Sequence, residues 1–298
     1  MDAASSGYRV KPIDALKSFG PRVDVKQPSL DSNDASDWHQ QWHPSSIRHV
    51  RLELENDRLD WRPWRARHGF DRNTVAPAYD VEAPLLKVAK QTDGRLTYIS
   101  CNATSEQSVT ETFERIEQDA RYPIRGLVTL AGISGRSPAV DYERSAFQRI
   151  MDVNVTGTFL CAQAAARLMH KQMVAGSVVM FASMSASNVN KGVDTCAYNA
   201  SKSAVLQLAR NLGAEWGNDG VHPPIRVNTI SPGYIEIPIT MPTVNAIPGL
   251  RDLWEGGNML GRLSTVHEHQ ASVLFLLADG SSYMTASDLR ADAGHCAW

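Results

Sequence analysis

The chain has 298 residues, 43% of them hydrophobic, which is enough to bury the core of one α/β domain or of two smaller ones. A formal net charge of −2, with no basic stripe, argues against nucleic acid or another polyanion as a partner. There is no run of about 18 apolar residues and no signal-peptide pattern, so we expect a cytoplasmic protein without membrane contact.

Cysteine and histidine give no sign of a metal centre or a disulfide framework. The cysteines at positions 101, 161, 196 and 296 are far apart and match no metal-ligand spacing. His39, His43 and His49 lie near Asp37, but their spacings fit no single helix face, so we interpret them as solvated loop residues. We therefore predict no bound metal.

Residues 1–80 differ in composition from the rest of the chain. Polar and charged residues dominate positions 22–73, and Trp38, Trp42, Trp61 and Trp64 lie among charges without strand alternation. This composition is typical of a tail or a poorly ordered segment. We therefore separate an atypical amino-terminal region, 1–80, from a folded domain, 81–298.

From residue 81 onward, helical and strand patterns alternate. Helices are predicted over residues 82–91, 147–173, 198–216 and 266–278. A further helix is predicted to begin at residue 104, with Val109, Phe113 and Ile116 on its inward face. Apolar runs predict strands over residues 95–101, 126–132, 176–182, 224–230 and 288–291. This alternation indicates an α/β fold with a doubly wound parallel sheet and helices on both faces.

Polar and small residues follow several of these strands, where the ligands of such sheets bind. Gly132 follows one predicted strand, Ser183 and Ser185 follow the next, and the segment 231–233 follows the one after. Because the carboxyl ends of parallel strands share one edge of the sheet, we expect these residues to line a single crevice.

A tyrosine and a lysine at helical spacing lie at the same edge. Tyr198 and Lys202 are four residues apart at the start of a predicted helix, so a phenol and an ammonium can address one ligand. Asn154 lies in the long helix, where its amide could either face the crevice and orient a water or serve only in packing.

These segments resemble the short-chain dehydrogenase/reductase family, and within it the fungal NADP-dependent mannitol dehydrogenase and sorbose reductase group. The likeness rests on 176–202 with Ser185 thirteen residues before Tyr198, on 226–233 (Arg-Val-Asn-Thr-Ile-Ser-Pro-Gly) and on the ending 288–298. It covers about residues 81–298 and implies a Rossmann-like domain that binds NADP(H). It also implies a catalytic tetrad of Asn154, Ser185, Tyr198 and Lys202.

The resemblance assigns a role to each tetrad residue. Ser185 would polarise a ketone that accepts hydride, and Tyr198 would deliver the proton. Lys202 would lower the phenol pKa from its usual value of about 10 and hold the nicotinamide ribose. Asn154 would order a water. The cofactor-binding residues implied by the resemblance are Asn102, Ala131, Gly132, Tyr198, Lys202, Pro232, Gly233 and Ile235.

One part of the family pattern is missing. The family opens with Thr-Gly-x-x-x-Gly-x-Gly, whose bare backbone approaches the dinucleotide phosphates, but positions 21–93 contain a single glycine, Gly69. Losing two or three charge-assisted hydrogen bonds to phosphate costs about 3–9 kcal/mol. A cofactor held at about 1 μM would then bind at roughly 0.1 mM or weaker.

Smaller departures from the family occur at three positions. Asn102 stands where an adenine-contacting Asp is usual, Thr129–Leu130 replaces Asn-Asn, and Ile237 stands where a Thr often holds the carboxamide. Asn102 can still accept a hydrogen bond, so we expect these changes to be mild. The domain assignment is accordingly a Rossmann-like domain, 81–298, that lacks its first β-α-β unit.

Two explanations account for the missing turn. One is genuine loss, which would leave a cofactor-less relative acting as a scaffold, a subunit partner or a cofactor-free acid–base catalyst. The other is a frame or splicing error in 1–80, which we favour: permitted codons for residues 60–69, read one nucleotide later, spell Thr-Gly-Gly-Arg-Gly-Gly-Arg-Gly-Met-Gly. This contains the missing motif.

The favoured function from sequence is reversible hydride transfer between NADP(H) and a carbonyl, with a polyol/ketose pair as the substrate class. The segment 250–260 is predicted to be a loop over the substrate. A homodimer or homotetramer is expected from the resemblance, and the tail 294–298 could pack across a subunit boundary or on its own domain.

Overall fold

In the computed structural model of the protein, residues 99–120 and 122–298 are described. The amino-terminal region 1–80, the predicted helix 82–91 and most of the predicted strand 95–101 lie outside this part of the chain. Residues 99–101, the end of that predicted strand, are described and belong to no strand.

Four parallel strands form the sheet of the described residues. They are β1 (Gly126–Thr129), β2 (Gly176–Phe181), β3 (Ile225–Pro232) and β4 (Asp288–Ala291), and they are ordered β1-β2-β3-β4. The register pairs Gly126 with Ser177, Gly176 with Ile225 and Thr229 with Asp288. The predicted parallel sheet is therefore confirmed.

Seven α-helices accompany these strands in the described residues. They are α1 (Glu106–Asp119), α2 (Arg144–Met151), α3 (Thr158–Lys171), α4 (Cys196–Gly217), α5 (Met241–Ala246), α6 (Leu250–Gly256) and α7 (Gln270–Leu277). Helix α1 begins as predicted, because the Ser105 hydroxyl accepts a hydrogen bond from the Ser108 N–H at 3.2 Å. Its predicted inward residues Val109, Phe113 and Ile116 are buried.

Successive residues of β2 enter different cores, which shows that both faces of the sheet are covered. Val178 and Met180 pack in a cluster with side chains of α1, α3 and α4. Val179, between them, packs instead with Ile230 and with Leu276 of α7. Side chains alternate across a strand, so the two clusters lie on opposite faces. The fold is a Rossmann-like doubly wound α/β sheet.

Several predicted boundaries need correction. The predicted helix 147–173 begins earlier, at Arg144, and contains a π-helical segment, Asp152–Gly157, between α2 and α3. The helix predicted over 266–278 opens as a 3₁₀ turn, Val266–His269, before α7. Strand β1 ends at Thr129, three residues early, and Leu130 is 62% exposed. Neither a π turn nor a 3₁₀ turn changes the apolar spacing enough to be read from sequence.

The segment 250–260 is not a loop throughout. Its first seven residues form helix α6, with Leu250 and Trp254 buried. The Trp254 Nε1 donates a hydrogen bond to the Lys191 backbone oxygen at 2.9 Å. Two turns of helix carry too little periodicity to be recognised in sequence, so the prediction was wrong here.

The carboxyl-terminal tail packs on its own domain. His295 is buried and its Nδ1 is 2.9 Å from the Asn258 Oδ1, while the Trp298 Nε1 donates to the Gly257 oxygen at 2.8 Å. The Trp298 side chain nevertheless keeps most of its surface exposed. Within one chain the tail thus contacts its own domain, and packing of the exposed Trp298 across a subunit boundary stays a prediction.

Candidate active site

Helix α4 places Tyr198 and Lys202 at the carboxyl end of β2. The Lys202 Nζ lies 5.7 Å from the centroid of the Tyr198 ring and donates a hydrogen bond to the Phe181 backbone oxygen at 2.7 Å. Phe181 is the last residue of β2, so this bond fixes the first turn of the helix against the strand end. Both side chains therefore face the same edge of the sheet, as their spacing predicts.

The Lys202 ammonium is buried in a site with unused hydrogen-bonding capacity. Lys202 is 6% exposed, and burial lowers its pKa to about 8. An ammonium has three N–H donors, and within the described residues only the Phe181 oxygen accepts from it. Two donors can therefore serve a ligand.

The Tyr198 phenol is held in its protonated form. Burial raises its pKa above the ordinary value of 10, while an interaction with the Ser183 hydroxyl opposes this shift. The sequence predicts the reverse, a pKa lowered by Lys202. In this structure the removal of the phenol from water outweighs the favourable partners, so the phenol is a proton donor near neutral pH.

Two serines and an asparagine form a hydrogen-bonded chain beside Tyr198. Ser183 and Ser185 follow β2, and both are buried. The Ser183 hydroxyl donates to the Ser185 hydroxyl at 3.1 Å, and the Ser185 hydroxyl donates to the Asn190 Oδ1 at 2.8 Å. The sequence pointed to both serines but included only Ser185 in the tetrad, and it missed Asn190, which lies in the loop before α4 with no periodic signal.

Asn154 does not occupy an open position. It is fully buried in the π-helical segment, and its amide nitrogen donates to the Ile133 oxygen at 2.9 Å and to the Ser201 hydroxyl at 2.9 Å. Its Oδ1 accepts from the Ile133 N–H at 2.8 Å. Both amide protons are thus used by the protein. Only the second lone pair of Oδ1 is left for the water that Asn154 was expected to order.

Gly132 brings the end of β1 into the same cluster. A Cβ atom at Gly132 would lie 3.4 Å from the Asn154 Oδ1 and 3.6 Å from the Lys202 Nζ. Ala131 and Gly132 are half-buried. The loop after β1, the π-helical segment and helix α4 therefore meet at one place.

The Pro232–Gly233 turn, at the carboxyl end of β3, packs against the chain that follows β4. The Gly233 N–H donates to the Ala291 oxygen at 3.0 Å, and a Cβ on Gly233 would lie 2.8 Å from the Asp292 Cα. A Cβ atom at that distance would force the backbone to shift. Ile235 then forms a parallel bridge with Ser264, which fixes the chain beyond the turn.

Asn102 is engaged differently from the expectation. Its Oδ1 accepts two hydrogen bonds from Thr104, from the N–H at 3.0 Å and from the hydroxyl at 2.8 Å. Both lone pairs of the oxygen are then occupied, because Asn102 and Thr104 form a local turn before α1. Its amide nitrogen is the group left for a ligand in this arrangement, and the contact between Asn102 and adenine stays a prediction.

One histidine–carboxylate group has the composition of a metal site. The ligand atoms of His170, Asp219 and His222 all lie within 4.8 Å of one another. However, the two imidazoles are stacked, with centroids 4.1 Å apart and planes 6° apart, and the His222 Nδ1 is 2.7 Å from the Asp219 Oδ2. Lone pairs in parallel planes do not converge on one ion.

Comparison with known proteins identifies the family. A family model described as enoyl-(acyl carrier protein) reductase matches residues 73–295. The short chain dehydrogenase/reductase notP' of Aspergillus versicolor is 50% identical over 210 residues, which are 70% of this chain and 72% of that protein. The chain belongs to the short-chain dehydrogenase/reductase family. It is an oxidoreductase of this type.

Further relatives include polyol dehydrogenases. The D-arabinitol 2-dehydrogenase (ribulose-forming) of Candida tropicalis is 34% identical over 206 residues, 69% of this chain and 72% of that one. Among solved structures, a short-chain type dehydrogenase/reductase from Mycobacterium marinum is 33% identical with a TM-score of 0.66, covering 72% of this chain and 81% of that chain. No helix among the described residues of this family member is long and apolar enough to cross a membrane.

Proposed function

We propose that the protein transfers a hydride reversibly between NADP(H) and a secondary alcohol or its ketone, and that its substrates are polyols and ketoses. The observation that supports the reaction best is the grouping of Ser185, Tyr198 and Lys202 at the end of β2. The substrate class is supported by relatives at 32–34% identity, including the arabinitol dehydrogenases and the sorbose reductase sou1 of Schizosaccharomyces pombe.

In this proposal the side chains divide the work on the carbonyl oxygen. The Ser185 hydroxyl donates a hydrogen bond to the oxygen as negative charge develops there. The Tyr198 phenol gives that oxygen a proton. The raised pKa of Tyr198 keeps the phenol protonated near neutral pH, so the proton is available for this step. In alcohol oxidation the same groups act in reverse, and Tyr198 must first lose its proton.

The described residues fit the nicotinamide end of a dinucleotide. The two unused donors of the buried Lys202 suit the ribose hydroxyls, and the small residues Ala131 and Gly132 leave room beside them. Pro232, Gly233 and Ile235 would contact the nicotinamide, and the Asn102 amide would contact the adenine. When bound, the dinucleotide supplies or accepts the hydride. Asn154 keeps the wall of this site in place through Ile133.

The phosphate end of the cofactor would have to be held by residues outside the described part. The absence of glycine from positions 21–68 favours a second candidate, a cofactor-less relative that acts as a scaffold or a subunit partner. We favour instead a frame or splicing error in region 1–80. The coding sequence decides: codons 60–69 should give the glycine-rich motif in the neighbouring frame, and any other reading excludes this explanation.

The proposed reaction is tested with a panel of carbonyl substrates and both cofactors. Purified protein, expected to be a homodimer or homotetramer, should oxidise millimolar NADPH in the presence of ribulose, xylulose or sorbose, and do so faster than millimolar NADH. Cyclohexanone, which lacks the flanking hydroxyls, serves as the control substrate. Equal rates with cyclohexanone would contradict the polyol/ketose class, and a preference for NADH would contradict the cofactor.

A further inference from the structure

Asn190 accepts the hydrogen bond from Ser185 that a substrate carbonyl would otherwise accept. The Ser185 hydroxyl donates to the Asn190 Oδ1 at 2.8 Å, and it accepts from the Ser183 hydroxyl at 3.1 Å. A hydroxyl carries one proton. While that proton points at Asn190, Ser185 cannot donate a hydrogen bond to a carbonyl oxygen. In the observed arrangement the proton is therefore directed at the loop and not at the substrate position.

A half-turn of the Asn190 amide changes this arrangement without moving any other heavy atom, because only the Ser185 hydroxyl proton turns with it. The terminal amide of asparagine is nearly symmetric in shape, so rotation places the Nδ2 where the Oδ1 stood. Asn190 then donates to the Ser185 oxygen, which already accepts from Ser183. With both lone pairs of Ser185 engaged, its proton is free for the substrate and is polarised by the two bonds it accepts.

The loop that carries Asn190 is fixed on both sides of this residue. The Asn188 backbone oxygen accepts from the Asn199 amide of α4 at 2.9 Å, and the Lys191 backbone oxygen accepts from the Trp254 Nε1 of α6 at 2.9 Å. Asn190 is half-buried between these two anchors. Its amide nitrogen has no protein partner within residues 99–120 and 122–298, so rotation of the amide breaks no second bond.

We propose that Asn190 is a positioning residue that sets the direction of the Ser185 proton. It accepts that proton when no carbonyl is present, and its amide rotates to donate to Ser185 when a carbonyl oxygen enters. The inference rests on the proposed function, in which Ser185 polarises the carbonyl. This positioning role requires a side chain that can both accept and donate a hydrogen bond. The asparagine amide can do both, whereas the aspartate carboxylate can only accept.

The test is a double-mutant cycle between Asn190 and Ser185. Asn190→Asp keeps the shape but offers only acceptors, so the Ser185 proton stays directed at the loop, and kcat for ketose reduction should fall about 10²-fold, as for loss of one oxyanion donor. KM should stay within a few-fold, because the loss is confined to the transition state. Asn190→Ala, which frees Ser185 without orienting it, should lower kcat about 10-fold, less than Asp.

The Ser185→Ala background separates positioning from a general effect of charge. If Asn190 acts through Ser185, then Asn190→Asp should change the residual rate of Ser185→Ala by less than 2-fold. A further drop equal to that seen in the wild type would overturn the proposal, because the new charge would then act directly. If Asn190→Asp does not fold, the same cycle with Asn190→Ala decides.

Failure of this inference differs from failure of the proposed function. An active wild type whose Asn190→Asp variant is equally fast contradicts only the positioning role. A wild type with no turnover at millimolar NADPH contradicts the proposed function and removes the positioning role with it.

Discussion

The side chain of Asn154 holds both backbone polar groups of Ile133, with its Oδ1 2.8 Å from the N–H and its Nδ2 2.9 Å from the C=O. The amide thus pairs with the chain after β1 as a neighbouring strand would. Asn154 lies in the π-helical segment, so this pairing joins the long helix to the wall of the site beside Gly132.

Replacing Asn154 with alanine should lower the free energy of unfolding by about 3 kcal/mol. The change removes three hydrogen bonds, the buried one to Ser201 and two partly buried ones to Ile133, and leaves the Ile133 N–H and C=O without partners. A polar group left unpaired in the interior costs about 1–3 kcal/mol. Urea unfolding measures the loss. Asn211→Ala is the control, because Asn211 is exposed on α4, and it should cost less than about 0.5 kcal/mol. Equal costs for the two variants would contradict the pairing.

A methyl group at Gly233 should disturb the turn that follows β3. The added Cβ would lie 2.8 Å from the Asp292 Cα, so the backbone must shift at a cost of about 1–3 kcal/mol. Gly217→Ala is a matched control, since nothing lies within 4 Å of the added atom at the end of α4. In thermal unfolding Gly233→Ala should melt at lower temperature, whereas Gly217→Ala should match the wild type or exceed it. A neutral Gly233→Ala would show that the turn is looser than described.

Stability should depend on the titration of Lys202. Its pKa falls from 10.5 in the unfolded chain to about 8 on burial, so between these values the unfolded state binds more protons. Stability relative to Lys202→Met should therefore rise with pH from 8 to 10.5, by up to about 3 kcal/mol. Urea unfolding of both proteins at several pH values measures the difference.

The control for Lys202 is a lysine that remains in water. The Lys171 side chain is 67% exposed, so Lys171→Met gives the effect of exchanging an exposed lysine for methionine under the same conditions. An offset of Lys202→Met from the wild type that stays constant from pH 8 to 10.5 would mean that Lys202 is not desolvated in the folded protein.

Alcohol oxidation should become faster as the pH rises. Burial raises the pKa of Tyr198 from its ordinary value, so the phenolate that accepts the alcohol proton is scarce at neutral pH and becomes more abundant as the pH rises. The value of kcat/KM for a polyol should therefore climb from pH 7 to pH 9, whereas ketone reduction should show no such rise. A plateau of the oxidation rate below pH 7 would contradict a raised pKa in the free enzyme.

The sequence predicts the site where local rules decide and fails where tertiary contacts decide. The four-residue spacing of Tyr198 and Lys202 fixes a common helix face, and the strand ends fix the positions of Gly132 and Ser185, so their proximity followed from topology. Asn190 lies in a loop whose shape depends on bonds from α4 and α6, which no periodicity encodes.

Two electrostatic and backbone features were also beyond the reach of sequence. The raised pKa of Tyr198 results from burial by residues remote in the chain, whereas residue types alone suggested a lowered value. No residue type in the sequence marks the π-helical segment that contains Asn154. Its role in the site is recognised only from the structure, in which the Asn154 amide pairs with Ile133.

The most direct test of the proposed reaction, in which Tyr198 gives the proton and the dinucleotide gives the hydride, follows an isotope. Protein is incubated with ribulose and millimolar NADPH that carries deuterium at the transferable C4 position, and the polyol formed is analysed for deuterium on its new carbinol carbon. We expect one deuterium there with the wild type and none above background with Tyr198→Phe. No labelled polyol from the wild type, or equal labelling by the Tyr198→Phe variant, would contradict it.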